Sequence, residues 1–209
     1  AKVAAGTKDS KVLTPAYALS AVEGYVKELG VEQLDLVVVH FPGTTSNNQA
    51  VWRGLEQAVA KNLTRTIGLS NFNQADIEAI LKIATIRPVV NQCDLSVGGQ
   101  DTQCDPRDAA IAYNQAQNIT YEAWSPMKKC PFTDPKLMTI AKAHNKTTAQ
   151  VCLRWILDRG CTIAVGTGSD PVKAVEYTKE NLDLFDFSLT TEELKTINAM
   201  GGKASLSMI

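Results

Sequence analysis

Five stretches of the sequence place polar side chains directly after short apolar runs, and they carry most of the chemistry the chain could perform. The clearest ends in His40. Leu34-Asp35-Leu36-Val37-Val38-Val39 precedes it and Pro42-Gly43 follows. Such a run, rich in β-branched residues and closed by turn formers, reads as a strand buried on both faces of a parallel sheet. Carboxyl ends of parallel strands are where α/β proteins place their reacting groups. An imidazole there can donate a hydrogen bond to an oxygen that gains negative charge, or it can simply close the strand. Ser70-Asn71 after residues 65–69 and Asn91-Gln92 within residues 88–93 offer hydroxyl and amide groups able to hold a planar amide, or to form turns. Trp124-Ser125 follows residues 119–123, where the indole can stack on a flat ring or pack as an ordinary aromatic. Gly166-Thr167-Gly168-Ser169 follows residues 162–165, and a glycine-containing loop entering a helix suits phosphate.

These positions depend on an alternation of apolar strands and amphipathic helices that runs the length of the chain. Strands are expected over residues 2–7, 34–39, 65–69, 88–93, 119–123 and 162–165. The first helix is expected over 14–29, opened by Thr14-Pro15 and stopped by Gly30. Further helices are expected over 50–61, 74–83, 105–116, 136–143, 148–158, 172–181 and 191–200, the fourth capped by Asp105 with Pro106 at its first position. Repeated βα units imply parallel strands joined by right-handed crossovers. A doubly wound sheet would carry a glycine-rich turn after its first strand, and none is present there. The expectation is therefore a (β/α) TIM-type barrel in a single domain over 1–209, with six units counted where a closed barrel has eight.

Composition narrows the classes further. With 44% hydrophobic residues, 209 residues can bury one sizeable core. A net charge of -1 without like-charge runs argues against nucleic acid as a partner. The apolar runs are far shorter than the ~20 residues of a membrane span, and the first residues read as no signal peptide. Five dispersed cysteines without CxxC spacing fit free thiols in the cytoplasm or another reducing compartment, with Cys152 in the core. Asn62, Asn118 and Asn145 each open an Asn-x-Thr triplet; two of these abut expected strands and read as chance. No metal centre is expected, because His40 and His144 are far apart and no His/Cys/carboxylate cluster has ligand spacing.

Taken in order, the motifs resemble the aldo-keto reductase family. They are the strand and histidine of 34–42; Gly68-Leu69-Ser70-Asn71-Phe72; Asn91-Gln92; Tyr121-Glu122-Ala123-Trp124-Ser125-Pro126; Ala149-Gln150-Val151-Cys152-Leu153-Arg154-Trp155; and Glu180-Asn181-Leu182-Asp183-Leu184-Phe185-Asp186-Phe187. That family is a (β/α)8 barrel using NADPH, less often NADH, to reduce aldehydes and ketones to alcohols. The resemblance runs from residue 2 to the last helix and implies a role for each site residue. His40 would face the carbonyl oxygen. Lys8 would end the family's third strand, its cation lowering the pKa of a tyrosine acid; taken alone, Lys8 reads as a solvated lysine. Ser70, Asn71 and Gln92 would hold the nicotinamide carboxamide, and Trp124 would stack on its ring beside Ser125. Gly166, Thr167 and Gly168 would meet the phosphates, and Glu180 and Asn181 the adenine end.

Departures from the family pattern add expectations of their own. The family's tyrosine acid and its partner aspartate belong to the first two βα units, and the resemblance places both before residue 1. The six units here would be the third to the eighth. The Lys-Ser that usually follows the last strand is replaced by glycine and threonine, and the usual arginine by Tyr177, leaving Lys173 or Lys179 to meet a 2′-phosphate. Cys93-Asp94-Leu95-Ser96 replaces the common Glu-x-His-Pro. Six strands cannot close an eight-stranded barrel, so a partner chain over the open edges is expected. The reading is an NAD(P)H-dependent reductase of small carbonyl compounds; the alternative is a catalytically inactive, reductase-derived structural or assembly subunit.

Overall fold

The computed structural model describes residues 1–6, 11–100 and 104–200. In chain order the elements are β1 (Lys2–Val3), α1 (Pro15–Leu29), β2 (Leu34–Val39), α2 (Thr45–Ala60), β3 (Thr64–Ser70), α3 (Gln74–Leu81) and β4 (Val90–Asp94). They continue with α4 (Arg107–Ala116), β5 (Thr120–Trp124), α5 (Pro135–Ala143), α6 (Thr148–Asp158), β6 (Thr162–Ala164), α7 (Pro171–Leu182) and α8 (Thr191–Asn198). The alternation is that of an α/β protein, as the sequence predicts. Among the described residues one compact unit comprises 1–93 and 104–121, and a second comprises 94–100 and 122–200. No helix among the described residues is long and apolar enough to cross a membrane.

In the first unit, β1 to β4 lie side by side in chain order, all parallel. Val39 of β2 lies opposite Val3 on one side and Leu69 on the other, and Ser70 lies opposite Gln92. This register brings the residues after each apolar run to one level at the carboxyl ends. Val37, Val39, Ile67 and Leu69 are fully buried with Trp52, Leu55 and Ile77 of the covering helices. Each such side chain contributes roughly 1.5–3 kcal/mol by leaving water. Gly43 keeps the loop after β2 close to β1, since a Cβ there would collide with the Ala5 carbonyl. The Thr120 N–H donates to the Val89 carbonyl (2.9 Å), starting β5 beside the chain that enters β4.

In the second unit, β5 and β6 pair in parallel with Trp124 opposite Ala164. The Leu95 N–H donates to the Trp124 carbonyl (3.2 Å). Helix α6 is the buried centre of this unit: Val151, Cys152, Leu153, Trp155 and Ile156 are all fully buried. A capping box opens it, with the Thr147 side chain accepting from the Gln150 N–H and the Gln150 side chain accepting from the Thr147 N–H. The same device opens α8 through Thr190 and Glu193.

Three expectations are corrected. Helix α2 begins at Thr45, not at residue 50, because Thr44 caps it by accepting from the Asn47 N–H. Asn47 and Asn48 then tie that polar first turn to Leu13, Lys11 and Gly43, none of which a hydrophobic pattern reveals. Asp105 does not cap α4, which starts after Pro106 without a side-chain cap. Its carboxylate instead accepts from the Gln74 N–H (2.6 Å) at the start of α3. The cysteines are not all free thiols: Cys93 pairs with Cys104 and Cys130 with Cys152, while Cys161 is free and buried. Dispersed spacing hides pairs that folding brings to a Cα separation of 6.5 Å.

Candidate active site

The first unit gathers Lys2, His40, Ser70, Asn71 and Gln92 at the carboxyl ends of β1 to β4. The Lys2 ammonium donates to Gln92 Oε1. The Asn71 side-chain amide donates to the His40 carbonyl (3.0 Å) and to Ser70 Oγ (3.1 Å), and the Asn71 N–H donates to the Gln92 carbonyl (2.9 Å). Ser70 Oγ in turn donates to that carbonyl at 3.0 Å. Asn71 therefore joins the ends of β2, β3 and β4. It does so with a left-handed backbone, φ 65°, which for a residue other than glycine costs about 1–3 kcal/mol. Buried polar groups paired this fully make a rigid platform.

His40 is half-buried, with its ring centroid 4.3 Å from that of Phe41 and its backbone N–H donating to the Val3 carbonyl. Burial, followed by the nearby Lys2 charge, holds its imidazole below the usual histidine range. The ring is thus uncharged at neutral pH and keeps one N–H to donate. Tyr25 also comes close to β1, but its hydroxyl donates to the Lys2 carbonyl at 2.7 Å. Burial raises the Tyr25 pKa, the wrong direction for a proton donor.

Lys8 lies outside the described residues. The lysine that the structure brings to His40 and Gln92 is Lys2, on β1 itself, which the sequence reading passed over. Its signal was its place: an ammonium beginning a strand whose next residue, Val3, is buried against β2.

In the second unit, Trp124 ends β5 and Ser125 follows with φ 53°, a second left-handed residue other than glycine at a strand end. A cavity of about 430 Å³ in the same unit is lined by Gly166, Thr167, Gly168, Glu180 and Asn181, with the α6 entrance at Thr147 among the other walls. Gly168 has φ 78°, turning the chain from β6 towards Asp170, which caps α7. Thr147 Oγ1 donates to a Glu180 carboxylate oxygen at 3.4 Å, and the Gln150 amide donates to the Glu180 and Asp183 carbonyls. The volume falls within the ~300–1,000 Å³ of small-molecule sites. Five of the residues predicted for the cofactor thus share one hollow.

Comparison with known proteins places the fold in a family. The profile of the Aldo/keto reductase family matches residues 2–201. Glyoxal reductase of Bacillus subtilis is 38% identical over 183 residues, 87% of this chain and 62% of that protein. The Bombyx mori aldo-keto reductase AKR2E4 is 32% identical over 197 residues, 85% of this chain and 60% of that protein. The structure of the latter with NADP superposes with a TM-score of 0.78 at 26% identity, over 96% of this chain and 67% of that one. The Brucella melitensis aldo/keto reductase gives a TM-score of 0.80 at 28% identity, over 95% and 71%. The chain accordingly spans about 60% of the length of these two sequence relatives. With the family profile matched over nearly its whole length, the chain belongs to the aldo/keto reductase family.

Proposed function

We propose that the chain binds a nicotinamide dinucleotide and forms the nicotinamide-holding part of a reductase of small aldehydes and ketones. The observation that carries the reading is the bonded platform of Lys2, His40, Asn71 and Gln92. A reduced nicotinamide, when bound, supplies a hydride to the carbonyl carbon. The platform's amides and the Ser70 hydroxyl have the donors and acceptors to orient a carboxamide. His40, uncharged, donates its ring N–H to the carbonyl oxygen as that oxygen gains negative charge. Lys2 adds positive charge beside it and fills the role that the family resemblance assigned to Lys8. Tyr25 is engaged with the Lys2 carbonyl, so proton delivery falls to solvent or to another group. Lacking a positioned acid typically lowers the rate by ~10²–10⁴.

Quenching of tryptophan fluorescence by reduced dinucleotide tests the reading, followed by loss of nicotinamide absorbance with an aromatic aldehyde. Saturable quenching is expected, with slow turnover that His40→Ala abolishes while binding persists. Absence of quenching by both NADH and NADPH rejects the reading. A second reading, an inactive reductase-derived assembly subunit under a partner chain, draws on α7, which has no buried residue and exposes Val172 (79%) and Leu182 (69%). It predicts binding without turnover under every condition.

A further inference from the structure

We infer that the cavity of the second unit selects the dinucleotide without a 2′-phosphate, so that NADH binds more tightly than NADPH. This rests on reading that cavity as the adenosine end of the cofactor site. The charge of its walls carries the inference. Among the described residues lining it there is one ionisable carboxylate, Glu180, and no lysine or arginine. The remaining polar walls are neutral hydroxyls and an amide: Thr147, Thr148, Thr167, Tyr177 and Asn181. A carboxylate among hydroxyls accepts hydrogen bonds from a ribose diol, whereas a 2′-phosphate wants a guanidinium. A phosphomonoester adds a charge of about −1.5 to −2 at neutral pH, which a wall of negative sign opposes.

Two cations elsewhere in the unit are paired with carboxylates. The Lys146 ammonium lies 2.7 Å from Asp183 and 2.8 Å from Asp186. Arg154 pairs with Asp158 at 2.6 Å and donates to the Leu184 carbonyl. Lys179 lines a different groove, with Ala174, Val175 and Thr178. Lys173 stands four residues before Tyr177, hence on the same helix face, yet outside the lining. Tyr177, 41% exposed at the rim, occupies the point from which a longer cationic side chain would reach the hollow.

Calorimetric titration of the 209-residue protein with NADH and NADPH decides the matter, repeated with 5′-AMP and adenosine 2′,5′-bisphosphate to isolate the adenosine end. NADH and 5′-AMP should bind about tenfold or more tightly than their 2′-phosphorylated counterparts, the scale of one charged hydrogen bond. Tyr177→Arg, at an exposed position, should erase or invert that ratio with no change in melting temperature. Glu180→Gln should narrow it. Equal or tighter binding of NADPH overturns the inference while leaving the cofactor site intact, and a loss of that binding in Lys173→Ala would name the cation responsible. Failure of all four ligands overturns the site and the inference together.

Discussion

Lys2 sits where three interactions meet: its ammonium holds the Gln92 side chain, its carbonyl accepts from Tyr25, and its charge depresses the His40 pKa. Burial is the larger cause of that depression and the Lys2 charge the smaller. Lys2→Met should therefore raise the His40 midpoint part of the way back to ~6.5, read by NMR titration of the imidazole; an unmoved midpoint would show that the charge is screened. The sign for stability follows. A histidine whose folded pKa lies below its unfolded one binds fewer protons when folded, so its contribution is present above the unfolded pKa and lost as pH falls through the folded one. His40, Asn71 and Gln92 were legible in the sequence because each follows an apolar run bounded by turn signals. Lys2 was not, because strand β1 has only two residues and shows no period of its own. The half-cystines were equally hidden, since pairing is decided by folded distance. Asn62, Asn118 and Asn145 looked like chance sequons and proved to be helix stops: each follows a helix with φ between 54° and 59°.

At the scale of elements, caps and crosslinks decide more than periodicity does. Capping chemistry made α1 readable nearly to the residue, through Thr14-Pro15 and Gly30, whereas α6 was placed by its apolar pattern and its Thr147–Gln150 box emerged only with the structure. Where the cap served a long-range bond, as with Asp105, the reading failed. Glu193 belongs to the box that opens α8 and also meets His144 Nε2 at 2.9 Å. Burial raises its carboxyl, but the Thr190 and His144 hydrogen bonds outweigh burial and leave it below the usual glutamate range. Its contribution is therefore present above the unfolded pKa of ~4.5 and lost as pH falls through the lower folded value. Glu193→Gln should destabilise the protein at neutral pH and flatten the acid limb of its stability curve, measured by urea unfolding from pH 3 to 7. The Cys130–Cys152 crosslink closes a separation of 22 residues and joins the segment after β5 to α6. Loop-closure entropy for that length is about 3 kcal/mol. Cys130→Ala should lower unfolding stability by that order, and a dithiol should destabilise the parent protein by more than it destabilises the variant, which keeps only the Cys93–Cys104 crosslink.

Across the whole molecule, burial is unevenly shared among the helices, and the thinnest share falls on a helix that lines the cavity. Helix α2 has buried residues along its length, including Trp52 and Leu55, whereas α7 has none. What holds α7 is concentrated at its carboxyl end: the Gln150 amide bonded to the Glu180 and Asp183 carbonyls, and Thr147 bonded to the Glu180 carboxylate. Local opening of α7 therefore exposes little apolar surface and costs far less than global unfolding. Its amides should exchange fastest among the described helices, while those of α2 and α6 should approach the global limit. A ligand seated against Tyr177, Glu180 and Asn181 binds the closed helix and not the opened one, so it must slow that exchange. At a concentration of about 100 times Kd, the expected slowing is roughly a hundredfold for α7, and the same factor applies to those α2 and α6 amides that exchange only by global unfolding, which also releases the ligand. Hydrogen exchange followed by mass spectrometry, with and without NADH, measures both numbers in one experiment. Slowing in α2 and α6 with none in α7 would instead mean that α7 opens while the ligand stays bound. Protection confined to α2 and α3 would place it away from this cavity.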